Sequence, residues 1–158
     1  MDDVIDVKQY INQLLTLDFK EEQKAWYNWF LKNGVQFTAE DRDKEREKEI
    51  ISVEFLDLKP KECYYNSIVL ASLEKGLEYY DGYYMTETFP IPFEHAWAVD
   101  ENGHVIDVTA YVAGIEVKEY FGIQIPFDYV FQFISKTDTA TWLAPRYYHE
   151  KEVIQKRC

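Results

Sequence analysis

The stretch FEHAWAVDENGHVIDVTA, residues 93–110, decides how the middle of this chain folds. Two apolar runs flank the pair Asn102-Gly103, and an Asn-Gly pair in that setting is a strong sequence signal for a hairpin turn. The first run carries His95, and the return run carries the acid Asp107 among apolar residues. The stretch predicts a β-hairpin. It leaves open whether these two side chains are ordinary polar residues of a half-buried sheet or belong to one site.

The length of the turn decides whether His95 and Asp107 share a face of the sheet, because successive side chains of a strand point to opposite faces. A two-residue turn at Asn102-Gly103 would place them on opposite faces. A three-residue loop over 101–103, with Gly103 left-handed, would make them diagonal neighbours on the same face. An Asn-Gly pair alone favours the shorter turn. Chemistry that pairs a histidine with an acid requires the longer one, and we predict the longer one.

A third candidate lies upstream, in the segment KPKECYYNSIVLASLEKG, residues 59–76. Pro60 stands where helices tend to begin and Gly76 where they tend to end, so the apolar residues between them predict a helix with Cys63 in its first turn. The free N–H groups and partial positive charge of a helix N-terminus favour the thiolate, which is the reactive form of a cysteine. The same N–H groups form a natural oxyanion hole.

Each member of this set has a chemical task. A histidine on a rigid strand can hold the thiol proton and return it to a leaving group. A carboxylate beside the imidazole fixes its tautomer and favours its charged form. The residue types and their order therefore predict a site for nucleophilic catalysis made of Cys63, His95 and Asp107.

These segments resemble the core of the transglutaminase-like proteins. That family has a cysteine-bearing helix, a strand of Tyr-x-x-Gly-Tyr character, a His-Ala-Trp strand and a strand that ends in Asp-Pro-Thr. Cys63 matches the nucleophile position, YYDGYY (79–84) the first strand, HAW (95–97) the second and DVT (107–109) the third. The resemblance covers about residues 59–110. It implies a papain-like fold with a Cys-His-Asp triad that acts on amides or related acyl groups.

The expected fold class is α+β, in which a papain- or transglutaminase-like core packs the Cys63 helix on an antiparallel sheet and N-terminal helices are added. The chain departs from the family at Lys61-Glu62, where a glycine or other small residue usually precedes the cysteine, and at Val108, where a proline is usual. Asn66, one turn after Cys63, is expected to face the same groove. Two aromatic residues, Trp97 and Tyr83, are further candidate substrate contacts.

The remaining segments predict one domain over residues 1–158. Apolar residues at helical spacing indicate two N-terminal helices, 3–17 and 19–32, the second with Asp18 as N-cap, within a helical part that extends to residue 37. Residues 38–50 are nearly all charged and predict either a solvated helix or a linker. Residues 51–58, at the start of the 51–158 core, indicate a short strand or an extended segment. Residues from 120 onward mix strand and helix signals.

Composition restricts the classes of partner. The net charge of −12 repels phosphates, so direct nucleic-acid binding is disfavoured. No apolar run is long enough to cross a membrane, and the acidic start lacks the basic region of a signal peptide. Cys63 and Cys158 do not form a disulfide framework. We expect a cytoplasmic protein without metal or cofactor.

Two function classes stay open. The first is an enzyme that acts on a peptide or amide substrate, in which water or an amine resolves an acyl-enzyme. The second is a catalytically inactive acidic protein that binds a basic partner, such as a nucleic-acid-binding protein, as an inhibitor or decoy. Small size and acidity would suit a phage protein. The reactivity of Cys63 separates the two classes, because only the enzyme needs an accessible thiolate paired with His95.

Overall fold

The computed structural model describes residues 5–52, 58–59, 61–73 and 75–155. Five strands form one curled antiparallel sheet in the order β1-β5-β2-β3-β4, and helices precede, interrupt and follow it. The predicted α+β class is confirmed. The strands are β1 Val35–Thr38, β2 Glu78–Thr86, β3 Phe93–Val99, β4 Val105–Ile106 and β5 Val117–Gln124. The helices are α1 Val7–Leu14, α2 Glu21–Asn33, α3 Lys44–Ile51, α4 Cys63–Leu73, α5 Val108–Ala113, α6 Phe127–Thr137 and α7 Ala144–Tyr148.

The tyrosines of β2 pack on both faces of the sheet, as expected for alternating side chains of a central strand. Tyr79 and Tyr83 lie in the main core, to which the N-terminal and C-terminal helices contribute. Tyr80 lies on the opposite face, in a second core with Trp97 and Tyr120. Helix α4 closes a third cluster against β3 and β4 through Leu70, Ala98 and Ile106. The cysteine-bearing helix is thereby fixed to the histidine-bearing strand.

The glycine of the YYDGYY segment lies where two backbones approach closely. Gly82 pairs with Gly122 of β5 on one side and with His95 of β3 on the other. A Cβ at Gly82 would overlap the backbone of Phe121 and Gly122, and one at Gly122 would lie 2.7 Å from Cη2 of Trp97. A residue without a side chain is required at both positions for the curled sheet to receive the indole ring.

The N-terminal part forms two helices, as predicted. Helix α2 ends at Asn33 with Gly34 as its C-cap, a position at which glycine is strongly favoured. The predicted N-cap is wrong, because Lys20 and not Asp18 occupies that position and makes no side-chain cap. Residues after Gly34 do not continue as helix, since β1 (Val35–Thr38) pairs with β5 at the edge of the sheet.

The charged segment 38–50 is a helix and not a linker. A 3₁₀ turn, Ala39–Asp41, is capped by Thr38 and Asp41, and α3 follows. Its predicted solvation is wrong at three residues, because the side chains of Arg42, Glu47 and Ile50 are buried. The strand or extended segment predicted over 51–58 falls largely on residues 53–57, outside the described residues. Within the described ranges, no helix has the length and apolar character needed to cross a membrane.

Candidate active site

Helix α4 begins at Cys63, so the thiol stands in the first turn of the helix, as predicted. The Asn66 N–H donates to the Glu62 carbonyl at 2.9 Å, which forms the first turn. Cys63 is half-buried and not in a disulfide. Lys61, two residues before it, has a φ of 64°, in the left-handed region that favours glycine. The backbone just ahead of the cysteine therefore has a conformation that favours glycine, although the residue there is a lysine.

The hairpin has the predicted three-residue loop. Val99 pairs with Val105 across it, and Gly103 has a φ of 84°. The Asp100 N–H donates to the His104 carbonyl at 2.9 Å and closes the turn. His104 itself is half-exposed beside the turn.

Asp107 does not lie on a strand, which corrects the sequence prediction. Strand β4 ends at Ile106, and Asp107 is the N-cap of α5, where its Oδ1 accepts from the Ala110 N–H at 3.1 Å. The cause is local, since an aspartate that can bond the N–H three residues on favours the start of a helix over a continued strand. Asp107 still reaches the histidine, because the N-cap stands directly at the end of the hairpin.

The three predicted residues come together in one place. His95 Nε2 and Asp107 Oδ2 lie 2.7 Å apart, and both side chains are buried. The Cys63 thiol is close enough to the same imidazole to raise its pKa. Because Nε2 is engaged by the acid, Nδ1 is the ring nitrogen left for the thiol. The order of contacts is thiol, imidazole, carboxylate.

The pair is electrostatically biased toward its charged form. Burial opposes a charge on His95, but the Asp107 carboxylate, its hydrogen bond and the neighbouring Cys63 outweigh burial and raise the pKa of His95 to about 10. Burial likewise opposes ionisation of Asp107, but the histidine and the Ala110 and Tyr120 hydrogen bonds prevail and lower its pKa. The imidazole is therefore protonated at neutral pH and the acid is ionised.

Aromatic rings hold the imidazole from its faces. Tyr84 stacks on His95 with ring centroids 4.0 Å apart and an interplanar angle of 15°. Trp97 lies 6.2 Å away on the same strand face. The Tyr120 hydroxyl donates to Asp107 Oδ2 at 2.8 Å, on the oxygen that also binds the histidine. Tyr84 and Tyr120 were not predicted as site residues, since their strand positions carry no signal beyond that of sheet tyrosines.

Two further residues reach the acid from the charged segment. The Asp107 N–H donates to Glu47 Oε2 at 2.8 Å, and Arg42 forms a buried ion pair with Glu47. Nothing in the sequence distinguishes these two residues from the other charges around them. Their role depends on the packing of α3 against α5, which periodicity does not reveal.

The three predicted substrate contacts, Asn66, Trp97 and Tyr83, are buried in this structure, where their side chains pack against or bond to other residues of the protein. Trp97 is fully buried, and Tyr83 packs between Phe30 and Trp142 in the main core. Asn66 is 2% exposed, and its side-chain amide is hydrogen-bonded within the protein. Its amide joins the Lys59 backbone and the Thr109 hydroxyl.

Two clefts are lined by residues that neighbour this constellation, and neither lining includes Cys63, His95 or Asp107. A cleft of about 620 Å³ runs along α4 from Lys61 and Glu62 past Tyr64. A second cleft of about 430 Å³ is lined by Tyr84, Phe93 and other residues around the β2–β3 connection. The first touches residues on both sides of Cys63 in sequence, and the second reaches the ring that stacks on the histidine. No group of histidine, cysteine and acidic side chains in the described part of the chain is arranged to hold a metal ion.

Comparison of the chain with models of known protein families, with curated proteins and with solved structures finds no match in any of the three.

Proposed function

We propose that this protein is a cysteine-dependent enzyme that transfers acyl groups or hydrolyses amides, with a triad of transglutaminase-like type. Cys63 is the nucleophile, His95 the acid–base group and Asp107 the residue that orients the imidazole. One observation carries the proposal: a carboxylate lies 2.7 Å from a buried imidazole, and a thiol at the first residue of a helix neighbours the same imidazole. The papain-like core is part of the same proposal. Its support is the order of a cysteine helix packed on antiparallel strands that carry the histidine and lead to the acid.

The proposed reaction begins from a protonated His95 beside a Cys63 thiolate. The sulfur attacks the carbonyl carbon of an amide, and a C–S bond forms while the oxygen takes the negative charge. In this proposal the N–H groups at the start of α4 donate hydrogen bonds to that oxygen. His95 gives its proton to the departing amine as the C–N bond breaks, which leaves a thioester on Cys63.

The second half returns the enzyme to its starting state. Water or an amine attacks the thioester carbonyl while neutral His95 takes its proton. The C–S bond then breaks, and the product leaves as an acid or a new amide. The thiolate and the imidazolium are restored. Throughout both halves Asp107 stays ionised and holds Nε2, so that Nδ1 remains directed at the sulfur.

The test is the rate of iodoacetamide alkylation at Cys63 from pH 5 to 9, followed by mass spectrometry. Thiolate held by a protonated histidine reacts well below pH 8, and His95→Ala should abolish that low-pH reactivity. His104→Ala is the matched control, because His104 lies on the same hairpin but is half-exposed and pairs with the surface acid Asp100 at 3.4 Å. The urea-unfolded protein supplies the rate of an unperturbed thiol.

The opposite result favours the second candidate function. A Cys63 that reacts no faster than in the unfolded protein, or not until the protein unfolds, excludes the ion pair and the enzyme. The net charge of −12 then supports an acidic binding protein that acts on a basic partner. In that case Cys63→Ala should leave the affinity for the partner unchanged.

A further inference from the structure

A buried ion pair adjoins the acid of the proposed triad. Arg42 donates to the Glu47 carboxylate through Nε at 3.0 Å and Nη2 at 2.9 Å, and both side chains are almost fully buried. Arg42 Nη1 also donates to the Ile115 carbonyl at 2.8 Å. Glu47 belongs to α3, and Ile115 follows α5, so the arginine ties the two segments together.

Glu47 also holds the backbone of the acid in the triad. Its Oε2 accepts the Asp107 N–H at 2.8 Å, and this contact is buried. The Asp107 carboxylate is held separately by the Ala110 N–H, the Tyr120 hydroxyl and His95. The acid is therefore fixed at its backbone by one carboxylate and at its side chain by three partners.

Stability alone gives little reason for charges at this place. A buried ion pair adds little stability compared with apolar residues of similar volume, because both charges must leave water. An apolar pair, however, could not accept the Asp107 N–H, which would then be buried without a partner. The feature that only Glu47 supplies is the hydrogen bond to the backbone of Asp107.

We infer that Glu47, oriented by Arg42, is a positioning residue that fixes Asp107 against His95. This inference rests on the proposed function, since it assigns the pair to the same triad. Glu47 touches no reacting atom. It acts through the position of the Asp107 backbone, and through that on how closely Oδ2 approaches Nε2.

Two double variants separate positioning from packing. Arg42→Met with Glu47→Gln removes both charges but keeps an amide oxygen that can accept the Asp107 N–H. Arg42→Met with Glu47→Leu removes both charges and the acceptor. Neither leaves an unpaired buried charge, whereas either single variant would leave one and would be strongly destabilised. Circular dichroism and thermal melting confirm that each variant is folded.

The readouts are the titration of the His95 imidazole by NMR and the rate of Cys63 alkylation at pH 6.5. We expect the Leu double variant to lower the pKa of His95 and to slow alkylation by about tenfold, as loss of a supporting hydrogen bond commonly does. The Gln double variant should retain the wild-type titration and react within about twofold of the wild-type rate. Equal losses in both variants, or no loss in either, would overturn the inference.

The design also separates this inference from the proposed function. The histidine titration reports on Asp107 even if Cys63 of the wild type is unreactive, in which case the enzyme fails while the positioning of Asp107 is still tested. If either variant does not fold, an NMR measurement on the wild type tests the inference instead. A scalar coupling across the hydrogen bond between the Asp107 amide nitrogen and the Glu47 carboxyl carbon supports the inference, and its absence overturns it.

Discussion

Replacement of Asp107 by asparagine isolates the charge of the proposed triad from its shape. Asparagine keeps an oxygen that can cap the Ala110 N–H, and it matches aspartate in size. What it removes is the negative charge 2.7 Å from His95 Nε2. Burial then acts on the imidazole without an opposing carboxylate, and burial favours the neutral form.

The expected magnitude follows from the electrostatics of the pair. In the wild type the pKa of His95 is raised to about 10, after burial has been overcome by Asp107. In Asp107→Asn, where only Cys63 still opposes burial, it should fall to about the ordinary 6.5. Each pKa unit corresponds to about 1.4 kcal/mol, so this change is of the order of 5 kcal/mol between the two protonation states of the histidine.

The same shift predicts how stability depends on pH. A histidine whose pKa is raised by folding contributes stability that is fully present below 6.5 and is lost as the pH rises through the folded value of about 10. The wild type should therefore be more stable than Asp107→Asn below this pH range, and the difference between their free energies of unfolding should shrink as the pH rises through it. The advantage is also lost in acid, because the pKa of Asp107 is lowered in the folded protein and its protonation there removes the ion pair.

The assay is an NMR titration of His95 in wild type and variant, with urea unfolding at several pH values. Asp100→Asn is the matched control, since Asp100 pairs with the half-exposed His104 on the same hairpin and should leave His95 unchanged. A His95 that keeps a raised pKa in Asp107→Asn would refute the reasoning. The charge on the imidazole would then come from some other group.

Three further predictions concern the framework of the site. Lys61→Gly should raise the free energy of unfolding by about 1 kcal/mol because it relieves a left-handed backbone, whereas Lys61→Ala should be neutral in urea unfolding; no gain from glycine would contradict the strain. Gly122→Ala should lower the free energy of unfolding by about 3 kcal/mol or more, since the new Cβ meets backbone and the Trp97 ring. Loss of the near-ultraviolet circular dichroism signal would mark the displacement of the indole. An unchanged midpoint of urea unfolding would contradict the close approach. Burial raises the pKa of Asp81 to about 7, so the stability that the protonated carboxyl contributes is lost as the pH rises from about 4 to 7. The free energy of unfolding of the wild type should therefore fall relative to that of Asp81→Asn over this range, and the difference should stay constant above it. A difference that is constant at every pH would contradict the raised pKa.

The hairpin shows how far local sequence determines this site. The turn signal, the period of the strands and the chemical demand for one shared face together predicted the three-residue loop, and Gly103 adopts the left-handed conformation that the loop requires. The helix that begins at Cys63 was predicted from the same kind of local signal. Both predictions depend on residues that are close in sequence.

The errors arose where two local preferences compete or where the cause lies far away in the chain. Asp107 was placed on a strand because of its apolar neighbours, but its capacity to cap α5 prevailed. Glu47 was expected in solvent because the run around it is charged, yet its partners are Arg42 and a backbone N–H 60 residues away. A pattern of charges cannot identify which member is buried, because burial is decided by the packing of α3 on segments that come later.

The residues around DVTA explain how one short segment serves both the fold and the site. Oδ1 of Asp107 starts α5 by capping it, while Oδ2 of the same carboxylate holds His95, so the start of the helix fixes the direction of the acid. Thr109, on the first turn of α5, accepts a hydrogen bond from Asn66 of α4 at 2.9 Å. This buried contact sets the cysteine-bearing helix against the segment that carries the acid. Asn66 therefore acts on the site by holding two of its elements together. Its position one turn after Cys63 suits this structural role as well as it would suit a substrate contact.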